Sequence, residues 1–157
     1  MSIGRLVLDA NVLLLFVVGQ IDPRLVPHHE RLKQYDSEDF ELLQSVVGSA
    51  TSVCTTPNVL TEVSNIADFG LPAEEKGRIY WGLKIQIECL AESYIPSAQS
   101  AGDPAFLSLG LSDTALLLAL DADTTLLTTD VLLFEHTLSR GQRALNFHHL
   151  REEQGLV

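Results

Sequence analysis

Arg5-Leu-Val-Leu-Asp9-Ala-Asn11, running on into the apolar stretch Val12 to Val18, decides how this chain is read. Arg5 to Leu8 reads as a short strand with Asp9 at its C-terminal tip, and a helix is expected over Val12 to Val18. The apolar residues do not alternate with polar ones, which points to burial on both faces, as in a parallel sheet. In open α/β sheets the reactive groups gather just beyond the strand C-termini. A lone carboxylate buried beside a sheet is costly, so Asp9 is a candidate for chemistry.

Outward from this stretch, strand and helix signals alternate. A helix is expected after Asp36, where acids crowd the first turn and Phe40, Leu43 and Val47 recur at helical spacing. Thr56-Pro57 reads as N-cap and proline at N1, opening a helix that runs to about Ala67. Another follows Leu71-Pro72 and carries Ile79, Leu83 and Ile87. Ser112-Asp113 reads as N-cap and N1 of a further helix, and Val131 to Ser139 forms the last. Short strands are expected at Val53 to Thr55, Thr124 to Thr128 and Ala144 to Phe147. Cys89 to Ser108 mixes strand, turn and helix signals. The alternation implies βαβ units around a parallel sheet. The expected fold is an α/β three-layer sandwich, one domain over residues 1–157.

The chain has 157 residues, 46% of them hydrophobic, which suits a single substantial core. Asp9 and Asn11 break the first apolar run, and what remains is too short to span a bilayer. The start lacks the pattern of a signal peptide, so a cytoplasmic protein with no membrane partner is expected. Cys54 and Cys89 sit in apolar contexts and read as buried free thiols; nothing in the compartment supports a disulfide. The formal net charge of −11 opposes binding of a polyanion, which Lys and Arg usually drive. Two arrangements would relieve this. A divalent metal would neutralise clustered acids, or the bases would segregate, as Arg24, Arg31 and Lys33 or as Lys76, Arg78 and Lys84.

The acids can be placed by element. In right-handed βαβ units helix N-termini share a rim with strand C-termini. Asp9 ends one strand and Asp130 follows another, while Glu62 and Asp113 lie near helix starts. All four are therefore expected on one edge. At about 4 Å and an effective dielectric near 20, each carboxylate pair costs roughly 4 kcal/mol before relaxation. Such a cluster takes up protons or binds a hard cation, and oxygen ligands suit Mg²⁺ or Mn²⁺ rather than zinc. Each acid also has a plainer reading. Asp113 favours a helix dipole, Asp130 is a natural N-cap, and Glu62 fits a solvated helix face. Asn11 and Thr128 stand close to the same rim, where they would orient a water or phosphate oxygen, or equally make capping or core hydrogen bonds. His148-His149 reads as a surface feature, and Tyr80 and Trp81 as core or dimer contacts.

With these residues in view, the chain resembles a PIN domain, the metal-dependent ribonuclease fold used by many VapC-type toxins. The resemblance is carried by Leu6-Val-Leu-Asp9-Ala-Asn11, Asn58-Val-Leu-Thr-Glu62-Val, Leu109-Gly-Leu-Ser-Asp113-Thr-Ala-Leu and Leu126-Leu-Thr-Thr-Asp130, and it covers nearly the whole length. It implies a parallel sheet flanked by helices and an acidic pocket for Mg²⁺ or Mn²⁺. It also implies cleavage of single-stranded RNA by a metal-activated water, often by a homodimer, and in the toxins an antitoxin protein as partner. On this resemblance Asp9, Glu62, Asp113 and Asp130 are the metal-site acids, with Asn11 and Thr128 as small polar companions. The segment Ile21 to Ser49 is longer than in the compact toxins.

Two other readings compete. One is a catalytically silent PIN-like module that docks RNA or a protein, as the net charge suggests. The other is a phosphohydrolase, although an aspartyl-phosphate route would want Asp-x-Asp where this chain has Asp9-Ala-Asn11.

Overall fold

The computed structural model describes residues 3–157. β1 (Ile3–Leu8), β2 (Ala50–Thr55), β3 (Ala91–Glu92), β4 (Thr124–Thr128) and β5 (Arg143–Asn146) form one parallel sheet in the order β3-β2-β1-β4-β5. Between them run α1 (Ala10–Ile21), α2 (Ser37–Gly48), α3 (Pro57–Ile66), α4 (Lys76–Cys89), α5 (Ser97–Ala101), α6 (Phe106–Ala119) and α7 (Val131–Ser139), and α8 (Phe147–Glu153) follows β5. α1 packs against α2, α3 and α4 as one layer; α5, α6 and α7 pack as another. The fold is the expected α/β arrangement, a parallel sheet between two helical layers.

β1 sits at the centre, with Leu6 paired to Val53 on one side and Thr125 on the other. Its inner half and the whole of β4 are buried, as strands covered on both faces must be. α1 is apolar all round and buried from Val12 to Gly19, the pattern of a helix enclosed by others. Gly19 allows the approach of α2: a Cβ there would lie 2.1 Å from the Phe40 ring.

From β1 the chain steps to β2 and β3 on one side, then crosses to β4 and β5 on the other. The step direction reverses between β1 and β4, and a crevice at such a point is where open α/β sheets place their sites. Asp9 directly follows β1 there, Thr128 ends β4, and Thr129 and Asp130 follow it.

Several local expectations change. β3, α5 and α8 carry no distinct signal in the sequence. Phe147, expected to end a strand, is the first residue of α8 and is fully buried. Asn146 makes this abrupt switch by accepting from the His148 N–H at 2.9 Å. α6 is broken at Gly110, whose φ of 77° and ψ of −173° are not helical, so the second half restarts at Leu111 and carries Asp113 in its first turn. Cys54 and Cys89 are both free, but Cys89 is exposed rather than buried. Trp81 is 63% exposed and is no core residue, whereas Tyr80 is half-buried and donates its hydroxyl to the Ser64 carbonyl at 2.5 Å. Among the described residues no helix is long and apolar enough to cross a membrane.

Candidate functional site

Asp9 is 5% exposed and is held by three donors. The Val12 N–H donates to Oδ1 at 3.1 Å, which makes Asp9 the N-cap of α1. The Thr129 N–H donates to Oδ2 at 3.2 Å, and the Thr128 hydroxyl donates to the same oxygen. These bonds favour the ionised form, but burial outweighs them and, with a smaller push from Asp130, raises the carboxyl to about 6.

Thr128 also accepts from the Asp130 N–H at 2.9 Å. One buried hydroxyl therefore ties the tip of β1 to the turn after β4. Of the bonds open to Thr128, the structure shows the core hydrogen bond, made to the acid itself. Asp130 is exposed and caps α7, its Oδ1 accepting from the Leu133 N–H at 2.8 Å. Asn11 is exposed in the first turn of α1.

Asp113 differs from both aspartates. It is half-buried, and among the described residues nothing donates a hydrogen bond to it. Burial comes first, then the charges of Asp130, Asp9 and Glu62; together they push its carboxyl up to about 7. The other three predicted acids therefore all act on Asp113 at the rim. Glu62 is exposed on α3, where its Oε2 accepts from the Ser112 hydroxyl at 3.4 Å.

The acids do not form a closed cage. Among the described residues, no three His, Cys, Asp or Glu side chains stand close enough together to hold a metal ion. In chemical kind, though not in spacing, the donor set is one that hard divalent cations take. It is all oxygen, it is partly desolvated, and Asp113 has an uncompensated carboxylate whose ionised form is disfavoured by three neighbouring negative charges.

Two features of the rim were not expected. Tyr35 is 3% exposed, and its hydroxyl has no hydrogen-bond partner among the described residues. Burial, with the charges of Asp9 and Asp39 adding and that of Arg151 opposing, lifts it to about 12. Its ring packs against Phe147 and stacks on His148, 6.0 and 6.1 Å between centroids. Beside Glu62 there is also a cleft of about 510 Å³ between α3 and α6, lined by Asn58, Thr61, Asn65, Leu111 and Ser112.

The bases are not segregated in the way that would serve a polyanion. Arg24 pairs with Asp22, Arg78 with Glu75 and Lys84 with Glu88. Arg5, Arg140 and Arg151 pair with Asp121, Asp103 and Asp39. Arg31 and Lys76 lie over the rings of Phe69 and Tyr80, each 5.9 Å from the centroid.

No protein-family model matches this chain, and no curated protein matches it. Among solved structures it is similar to a domain of a functionally unknown protein from Methanocaldococcus jannaschii DSM 2661. The two share 19% identity with a TM-score of 0.44, over 90% of this chain and 89% of that one.

Proposed function

We propose that this protein is a PIN-like endoribonuclease that uses Mg²⁺ or Mn²⁺ to cut single-stranded RNA at the rim between β1 and β4. The observation that carries the reading is Asp113, a half-buried carboxylate without a hydrogen-bond donor, pushed up to about 7 by burial and by the acids Asp130, Asp9 and Glu62. A rim of this kind is poised for a positive charge.

Asp9, Glu62, Asp113 and Asp130 are the residues that would hold the cation. A divalent ion bound there would supply the charge that lowers the pKa of a water and offsets charge on a phosphodiester. The protein's own part is positional and protonic. Thr128, Thr129 and Val12 fix both oxygens of Asp9. The Leu133 N–H fixes one oxygen of Asp130, an exposed residue. Asp113, titrating near neutrality, is suited to take or release a proton at its carboxylate as negative charge gathers beside it. The toxin role, an antitoxin partner and a homodimer belong to the same proposal.

The test is cleavage of an unstructured RNA by purified protein with Mn²⁺. Asp9→Asn and Asp113→Asn are expected to abolish it; equal cutting by wild type and both variants would expose a contaminant and remove the reading. The pairing of most bases with acids favours one alternative, a module that docks a partner without cutting. It is upheld if millimolar Mn²⁺ neither raises the melting temperature nor supports turnover.

A further inference from the structure

The outer face of α3 has a pattern of its own. Val59, Leu60 and Val63 face the core. Asn58, Thr61, Glu62 and Asn65 fall at i, i+3, i+4 and i+7, one continuous stripe on a helix, and the stripe lines the cleft against Leu111 and Ser112. Pro57 and Leu111 give the cleft apolar walls, and Leu111 is 39% exposed. Among the described residues, Asn58, Thr61 and Asn65 spend no side-chain group on an intramolecular hydrogen bond; the one such bond in the cleft is Ser112 to Glu62.

The chemistry of this lining selects among ligands. It holds no Lys or Arg, so it is no phosphate site. Each Asn presents a donor and an acceptor side by side, which matches the paired donor and acceptor groups on a nucleobase edge. Apolar walls accept the flat faces of an unstacked base. A volume of about 510 Å³ lies within the range of small-ligand pockets. The cleft adjoins the acid rim through Glu62, so a base seated in it would bring its backbone phosphate toward Asp113 and Asp130.

We propose that the α3–α6 cleft is a nucleobase subsite, in which Asn58 and Asn65 read the edge of one unpaired base of the RNA. It rests on the ribonuclease reading for its biological use, but base binding itself needs no metal. The cleft would thus supply neutral recognition that a chain of net charge −11 cannot obtain from cations.

The experiment is a titration of ¹⁵N-labelled protein with adenosine, guanosine, cytidine and uridine in EDTA, with glucose as control, followed by amide shifts. At least one nucleoside is expected to shift α3 amides together with Leu111 and Ser112. Asn58→Ala and Asn65→Ala are each expected to weaken it about fivefold, the loss of roughly one hydrogen bond. No nucleoside shift in the cleft, equal shifts with glucose, or shifts unchanged in both Asn variants overturns the subsite. RNA cleavage by the Asn variants is then compared with wild type for the base at the cut. Unaltered preference removes the subsite and leaves the nuclease standing. Nucleoside binding without any metal-dependent cleavage removes the nuclease and leaves the subsite.

Discussion

The Thr128 hydroxyl donates to the Asp9 carboxylate from 119 positions away in sequence, while accepting from the Asp130 N–H at 2.9 Å. One side chain thereby sets the distance between the tips of the two central strands. Thr128→Val keeps the shape and removes both bonds. Stability is expected to fall by about 1–3 kcal/mol, the cost of leaving buried polar groups unpaired. The hydroxyl bond also holds the Asp9 pKa down, so its loss raises that pKa further. The acid limb of the pH–rate profile should then move to higher pH, so that cleavage falls more at pH 6 than at pH 8. An unchanged profile in a folded variant would show that Asp9 takes no part in turnover.

Asp113 has a folded-state pKa of about 7 against an ordinary 3.8. A raised carboxyl contributes stability that is complete below the ordinary value and lost as pH rises through the folded one. Metal-free wild type should therefore lose stability relative to Asp113→Asn between about pH 4 and 7. His29 and His148, both lowered by burial, act with the opposite sign near their ordinary 6.5, so the difference between the two proteins is the quantity to read. At pH 8 in EDTA, Asp113→Asn is expected to be as stable as wild type or more stable, by about 1 kcal/mol after solvent screening. With Mn²⁺ at a hundred times its Kd the order reverses, since about 2.7 kcal/mol of binding free energy then favours wild type. Calorimetric melts at pH 5 and 8, with and without Mn²⁺, check both halves.

Asp9 and Asp130 were legible because each ends an apolar strand, and a parallel sheet leaves those tips on one rim. Asp113 was legible through the helix start at Ser112, although the break that makes the start is the positive φ of Gly110. What stayed hidden depends on distant partners. Arg5 meets Asp121 across 116 positions and Arg140 meets Asp103 across 37, so no local charge pattern announces that these bases are spent. The cleft joins Glu62 to Ser112 across 50 positions. α8 leaves no signal because Asn146-Phe147 passes from strand to helix with no Gly or Pro between, and an apolar Phe reads equally well as one more strand residue.

Asp39 and Arg151 form a buried ion pair at 2.6 Å, with side chains 4% and 7% exposed, that pins α8 to α2. Arg151 also donates to the Gln34 carbonyl at 3.1 Å and lies 4.9 Å from the centroid of Tyr35. Removing one partner leaves a buried charge unpaired, at a cost of about 3–5 kcal/mol. Asp39→Asn and Arg151→Met should each lower the urea midpoint strongly, and the double variant by less than their sum. Additive losses would mean the two side chains do not depend on each other.

Gly19→Ala tests the packing of α1 on α2. The new Cβ would meet the Phe40 ring at 2.1 Å, and Phe40 is only 4% exposed, with little room to yield. Overpacking of this kind costs about 1–3 kcal/mol, despite the better helix propensity of Ala. Gly19→Ala,Phe40→Leu should recover part of the loss in thermal melts.

RNA binding should show a bounded dependence on monovalent salt. Six of the ten Lys and Arg residues are paired with acids among the described residues, and Arg143 donates to the Ala122 carbonyl. Arg31 and Lys76 lie over aromatic rings. At about 0.7 per neutralised phosphate on a single strand, the four unpaired bases bound the slope of log K against log salt to a magnitude of about 3. Affinity should instead rise with Mg²⁺, because the acids at the rim repel a phosphate until a cation stands between them. Fluorescence anisotropy with a labelled single-stranded RNA, in EDTA and in Mg²⁺ at 50 to 200 mM KCl (about a twofold range of screening length), measures both. A steep salt slope in EDTA would mean that the ion pairs open to meet the backbone, and the rim would then not be what limits binding.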